Sequence, residues 1–437
     1  MAIAFYMEEN YTSKFDNSGE GLAFRQPIMA TARKPDENLR VTENVIFIFA
    51  FGFIMYKLLA EYGLYVYDSI KGKGYIGAII DPFLSRQYYM SIVSVIVILN
   101  TTLVLWEILS FIIQVLKQEK NTTRGYNKYK VIFKKVSENY KSSFLALLVI
   151  ELLPKLILFH TFWIWLPHFL KLQLFTINLT WYSWAYGYLC WEFSSWLFHF
   201  TSHRVRVLWC LHAPHHSPTD LNMTVNWVHF FAESYYSTFV RLVILTLLGV
   251  NPAMFLPMIL IDSAWGIFIH VSERTVKNGR LGSLHHLIIT PAHHRVHHAK
   301  SPLYVDTNFA NVLPFWDWLF GTLQPIKEEV KTEYGVTRDL DVTNFSDLYF
   351  GEIFLLWRDI KNADGISNKL LYIIMPPGWT PASKANTASA LRSDFLKENP
   401  GLGATSRNRF LAAVRSAFGA AKMKEGEAAP VLISEER

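Results

Sequence analysis

Long apolar runs divide the first half of the chain, at residues 45–59, 88–116, 144–166 and 174–200. About twenty apolar residues in helical conformation cross the hydrocarbon layer of a membrane, so the last three runs predict spanning helices. The first run is shorter and carries Lys57. Glu107, Glu151 and Lys155 interrupt the second and third runs and read either as facing the bundle interior or a wet cavity, or as snorkelling to the interface or pairing with one another. A further apolar hairpin, 235–250 and 254–269, turns at Asn251-Pro252. Its arms are short and the first contains Arg241, which suits a re-entrant or shallow hairpin as well as two full spans. The residues before the first run are polar and broken by Pro27 and Pro35, and read as a flexible arm without a cleavable signal. After Gly321 the chain turns polar and charged, with an amphipathic stretch at 354–372 and a basic candidate helix at 406–424. That helix suits an anionic lipid surface, and a disordered tail equally.

The segment between the second and third runs, 117–141, holds eight Lys or Arg against Glu119 and Glu138. The positive-inside rule places it in the cytosol. The next two runs then form a hairpin turning near Pro167, which brings residue 199 back to the cytosolic side. Charged residues are only 18% of the 437-residue chain and apolar ones 51%, which excludes a disordered or ordinary soluble protein. The net charge of +6 is carried largely by that one segment, and no nucleic-acid motif, internal repeat or Gly-rich phosphate loop accompanies it. Two cysteines, Cys190 and Cys210, are too few for a disulfide framework or a cysteine-based zinc module.

Thirteen of the fifteen histidines fall between His199 and His298. Eight of them form three short motifs, His199-Phe-Thr-Ser-His203, His212-Ala-Pro-His215-His216 and His294-Arg-Val-His297-His298. Spacings of three and four put these side chains on one helical face. Eight imidazoles exceed the four to six ligands of one first-row metal ion, so two neighbouring ions are the natural inference. The donor set suits Fe, Zn or Cu. A zinc-protease site is excluded because no box contains the glutamate that serves as general base.

The boxes, in this order and between membrane runs, resemble those of the fatty acid hydroxylase and sterol desaturase superfamily of membrane di-iron oxygenases. Thr290 to His298, Tyr304-Val305-Asp306-Thr307-Asn308, Trp316 to Thr322, Leu356-Trp357-Arg358-Asp359 and Pro376-Pro377-Gly378-Trp379 are similar to the branch holding bacterial sterol-desaturase-like proteins and alkylglycerol monooxygenase. The resemblance implies an all-α integral membrane protein, a bundle of about four to six transmembrane or re-entrant helices with a cytosolic histidine-rich helical cap. Its segments read as a polar arm (1–43), N-terminal membrane helices (44–172), a catalytic domain with the three boxes (173–325), a C-terminal cap (326–380) and a flexible basic tail (381–437).

By position, the resemblance makes His199, His203, His212, His215, His216, His294, His297 and His298 metal ligands, and adds His270, which follows the hairpin, as a ninth. It offers Glu192, His293, Asp306 and Asn308, with Asp317, as residues that orient a ligand or hold the loop after box three. His229, His285 and His286 read as supporting or surface histidines. Phe200 and Arg204 depart from the arginine and the glutamate expected after the two histidines of box one. Arg204 weakens a pterin-dependent ether-cleaving activity and favours the bacterial or sterol-type proteins. Aromatic residues at 226–236 suit a lipid channel or an interfacial belt.

The implied chemistry is hydroxylation or desaturation of an aliphatic C–H bond of a lipid (sterol, fatty acyl or ether lipid) by O2 at two Fe ions. A separate electron donor is needed, since neither a flavin nor a haem motif is present. The protein would be multi-pass, with its boxes on the cytosolic face of the endoplasmic reticulum if eukaryotic or of the inner membrane if bacterial. The alternatives are a histidine-lined metal transporter or sensor and a homologue that binds metal without catalysis.

Overall fold

The computed structural model describes residues 86–118, 126–147 and, apart from 167, 339 and 343, residues 166–402. The polar arm, the run at 45–59, Glu151, Lys155 and the basic stretch at 406–424 lie outside the described residues. Within them the chain is helical, and the extended pairing is a single isolated bridge between Ala299 and Tyr334.

Helix α1 (Arg86–Gln118) turns Trp106, Leu109 and Ile113 outward and buries Val104, Ile108 and Val115 on its other side. Its part Asn100–Gln118 is long and apolar enough to cross a membrane, and so is Pro252–Ile269. Glu107 does not snorkel. It is fully buried and accepts hydrogen bonds from the Ser272 amide (3.1 Å), the Ser272 hydroxyl (2.8 Å) and the Thr275 hydroxyl. A carboxylate satisfied by three donors is tolerated where an unpartnered one is not, and this one ties down the chain just after His270.

From residue 126 the basic segment lies in helix α2 (Tyr126–Ala146). Its buried positions Ile132, Tyr140, Ser143 and Ala146, with Val136 half-buried, make a stripe; Val136 and Tyr140 pack with α1, Met223 and Val271, and Ala146 packs with Val228 and Leu348. Lys130 and Lys141 are exposed. The density of cations hid the stripe in the sequence.

The run at 174–200 is helical only from Trp181 onward. Leu174 and Phe175 are exposed and non-helical, and helix α3 (Trp181–Arg204) starts at a capping box in which Thr180 accepts from the Ser183 amide. Val205, in extended conformation (φ −118°, ψ 119°), breaks the helix and directs the chain into α4 (Arg206–His216). Helices α5 (Phe231–Leu247) and α6 (Phe255–Ile269) are the arms of the hairpin, whose turn is held by the Asn251 side chain accepting from the Ala253 amide. Leu242, Leu245, Met254, Phe255 and Met258 bury against Cys190 and Trp191 of α3. Arg241 is accommodated by Asp262 on the opposite arm (3.2 Å), by the Ser195 hydroxyl (3.3 Å) and by the ring of Trp191. Helices α7 (Pro291–His298), α8 (Phe315–Phe320), α9 (Phe345–Asn362), α10 (Gly365–Ile374) and α11 (Ala388–Glu398) complete the described chain, with α9 and α10 packed on α4.

Candidate metal centre

Each histidine box sits at a helix end. His199 and His203 occupy the last turns of α3, His212, His215 and His216 the last turns of α4, and His294, His297 and His298 the end of α7. His270 is the residue that closes α6. The break at Val205 folds α4 back beside α3, so two boxes adjacent in sequence meet in space.

The nine histidines form two groups. His199, His203, His212, His216 and His297 make one; His215, His270, His294 and His298 make the other; within each, one ring nitrogen per residue lies within 4.8 Å of all the rest. The Nε2 atoms of His199 and His212 are 3.1 Å apart, those of His270 and His294 2.8 Å, and those of His294 and His298 3.0 Å. Neighbouring ligands around one ion with metal–nitrogen distances of about 2.0–2.1 Å are separated by such lengths. The buried Nε2 atoms of His203 and His297 have no hydrogen-bond partner in the protein. Buried ring nitrogens left in this state fit a metal and fit little else.

The opposite ring nitrogens face outward. Nδ1 of His199 donates to the Phe309 carbonyl (2.8 Å), of His215 to the Val225 carbonyl (3.2 Å), of His270 to the Gly266 carbonyl (2.6 Å) and of His297 to the Thr307 carbonyl (2.7 Å). His203 donates to Asp306 Oδ1 (3.2 Å) and His212 to Glu233 Oε1 (2.7 Å). An acceptor at Nδ1 fixes the proton there and leaves the Nε2 lone pair free for a cation. Burial, with the neighbouring imidazoles, pushes His215, His216, His294 and His298 well below the usual histidine range, and burial takes His297 to about 3. These rings are therefore neutral at physiological pH, the form that binds metal.

A profile of the fatty acid hydroxylase family matches residues 184–322, which contain all nine histidines. The chain is 32% identical to alkylglycerol monooxygenase of Xenopus tropicalis over 47% of its own length and 45% of that protein. It is 30% identical to the human alkylglycerol monooxygenase over the same shares. It is 29% identical to the ornithine lipid hydroxylase of Rhizobium tropici over 33% of this chain and 43% of that one. The resemblance to the fatty acid hydroxylase family lies in residues 184–322. The chain thus matches less than half the length of these curated relatives, and no solved structure matches it.

Around the histidines of this segment, Asp306 meets a box imidazole. It sits between His203 and Arg204, whose Nε lies 3.4 Å from its Oδ2, and burial raises its carboxyl to about 6 despite that arginine. The other three candidates have different partners. Glu192 reaches no imidazole: its Oε2 accepts from the backbone amides of Val312 (3.1 Å) and Leu313 (2.8 Å). Seven residues are two helical turns, so Glu192 shares a face with His199 but stands about 10 Å down the helix from it. Asn308 bonds the carbonyls of His293 and Gln324 and the Gln324 amide, which fastens the loop to α7 rather than a ring. His293 stacks on His285 (4.1 Å between centroids), and its Nδ1 accepts from the Thr290 amide, as the return half of a capping box.

The family segment also contains two carboxylates whose roles the sequence reading missed or left open. Glu233, buried at the start of α5, accepts from both His212 and His229 (2.7 and 2.8 Å), and His229 stacks on His215 at 4.1 Å. Its sequence signal is the His229 to Glu233 spacing of four. Asp317, fully buried, collects the Trp196 indole N–H (3.1 Å), the Phe309 and Ala310 amides (each 2.8 Å) and the Thr322 hydroxyl (2.6 Å). It thereby holds the Phe309 carbonyl that receives His199. Asp317→Ala leaves four donors without their acceptor and is expected to cost about 3–5 kcal/mol; a denaturant midpoint near that of the unaltered protein would contradict this.

Proposed function

We propose that this chain is a multi-pass membrane oxygenase that holds two iron ions and uses O2 to hydroxylate or desaturate an aliphatic C–H bond of a lipid. The observation that carries the reading is the division of nine imidazoles into groups of five and four, six of them with Nδ1 committed to an outward acceptor. Those rings would hold iron through Nε2, and iron supplies the redox chemistry that zinc lacks. The names of the relatives, an alkylglycerol monooxygenase and an ornithine lipid hydroxylase, favour a lipid substrate and O2.

The chain's own residues have three tasks in this reading. The histidines bind; the carbonyls of Phe309, Val225, Gly266 and Thr307, with Asp306 and Glu233, orient them; and the aromatic wall of Trp196, Phe200 and Phe309 beside His199 keeps water out. A lipid tail would enter sideways from the bilayer, with residues 173–325 as the catalytic domain. The basic segment at 117–141 favours a cytosolic position for the histidines, where a separate reductant reaches them.

The test combines metal analysis of the purified chain with lipid-dependent O2 consumption, and compares the lipids of cells with and without it. Two irons with consumption of O2 and a new hydroxyl or double bond is the expected result. Metal-free protein refutes the ligand assignment, and two irons without turnover identify a homologue that has lost catalysis.

A further inference from the structure

Behind the first histidine group, on the far side of Asp306, lies a cavity of about 510 Å³. That volume is within the range of small-molecule sites, roughly 300–1,000 Å³. Its walls come from the end of α3 (Arg204), the loop after box three (Asp306), the turn after α8 (Thr322) and helix α11 (Ser389, Arg392, Ser393). The last wall lies beyond residue 322, where the family match ends.

The charges of this cavity do not balance. Arg204 and Arg392 are close enough that Arg204, after burial, depresses the guanidinium of Arg392. Asp306 is the carboxylate among the lining residues, and its two oxygens are already engaged by His203 and Arg204. Arg392 donates only to neutral acceptors in the hydrogen bonds formed, the Leu303 carbonyl and the Gln324 amide oxygen (2.7 Å). Nε of Arg204 is buried and, although it lies 3.4 Å from Asp306 as an ion pair, it forms no hydrogen bond there. Lys397 at the rim reaches Asp394 (2.8 Å), a residue outside the lining. Two guanidiniums and the hydroxyls of Ser389 and Ser393 are donors matched to a tetrahedral or planar oxyanion.

We propose that this cavity binds an oxyanion, a phosphate or carboxylate group, between Arg204 and Arg392. Because Asp306 is shared by Arg204 and His203, the bound anion is connected to the first histidine group through one residue. The group is carried either by a free small molecule or by a lipid headgroup, and the two sources are separable by experiment.

The full chain is reconstituted in nanodiscs of phosphatidylcholine, and its thermal unfolding is followed against inorganic pyrophosphate; a second set of nanodiscs contains phosphatidic acid at graded fractions. The expected result is a saturable rise in midpoint with at least one probe. Arg392→Gln, with the charge gone, is expected to weaken the half-saturating concentration about tenfold or more, since one charge-assisted bond is worth roughly 1.5–3 kcal/mol. Arg392→Lys, which keeps charge and loses the fork, should fall between. A response to pyrophosphate assigns a free anion, and a response to phosphatidic acid alone assigns a headgroup. No saturable response to either probe, or an equal response in Arg392→Gln with an unaltered unliganded midpoint, overturns the proposal. If Arg392→Gln fails to fold, Ser393→Ala, on the exposed side of α11, is expected to weaken binding severalfold, and an unchanged response overturns the proposal. Metal-free protein serves as well as loaded protein, so the outcome is independent of the iron assignment.

Discussion

Replacing His270 with alanine is expected to take the bound metal from two ions per chain to one, and to abolish lipid oxidation. His270 Nε2 stands 2.8 Å from that of His294 and 3.2 Å from that of His215, in the middle of the four-histidine group. Removing it leaves three imidazoles, below the four to six ligands a first-row ion takes from its surroundings. The other group keeps all five of its rings, because none of them belongs to both sets. The backbone at this point has its own anchor, since Ser272 and Thr275 remain bonded to Glu107, so the ligand is lost without the loop. Elemental analysis of purified protein reads the result, with exposed His286→Ala as a control that retains two ions. Two ions in His270→Ala would remove it from the ligand set; loss of both would show that the two groups fill as one site.

The histidine boxes were legible because their chemistry is written at helical spacing in consecutive residues. His270 stands alone in the sequence, and only its resemblance to a family position singled it out. The acceptors that orient the rings, or hold the backbone behind them, were far less legible. Glu107 meets Ser272 across 165 positions, and Asp317 meets Trp196 across 121. Such pairs are set by tertiary packing, which no local periodicity encodes. Four acceptors are backbone carbonyls, of Phe309, Val225, Gly266 and Thr307, and a carbonyl has no sequence signature at all. Asp306 and Asn308 both adopt left-handed backbone (φ 56° and 57°), a conformation that Asp and Asn tolerate better than most residues. Their motif therefore records the shape of the loop as well as its contacts, which is why only one of the pair touches a ring.

Glu233→Gln is expected to lower metal affinity of the five-histidine group about 10- to 100-fold, the usual cost of losing a partner behind a ligating imidazole. The carboxylate accepts two N–H groups at once, from His212 at 2.7 Å and His229 at 2.8 Å, and it is almost fully buried. An amide has one acceptor oxygen and one donor nitrogen. If its oxygen serves His229, its nitrogen faces His212 Nδ1, which must then give up its proton. The proton moves to Nε2, the atom that lies 3.1 Å from His199 Nε2 and points into the cluster. A protonated Nε2 cannot ligate. The amide can also turn the other way and serve His212, so affinity falls by the cost of choosing that orientation and weakening the bond, not to zero. Competition with a chelator at graded concentrations measures the shift. His229→Gln is the informative partner, because it leaves the Glu233 bond to His212 in place; it should retain metal in the five-histidine group close to the unaltered level. Equal release from both variants would mean that the stacked ring of His229 against His215, rather than the carboxylate behind His212, holds the centre together.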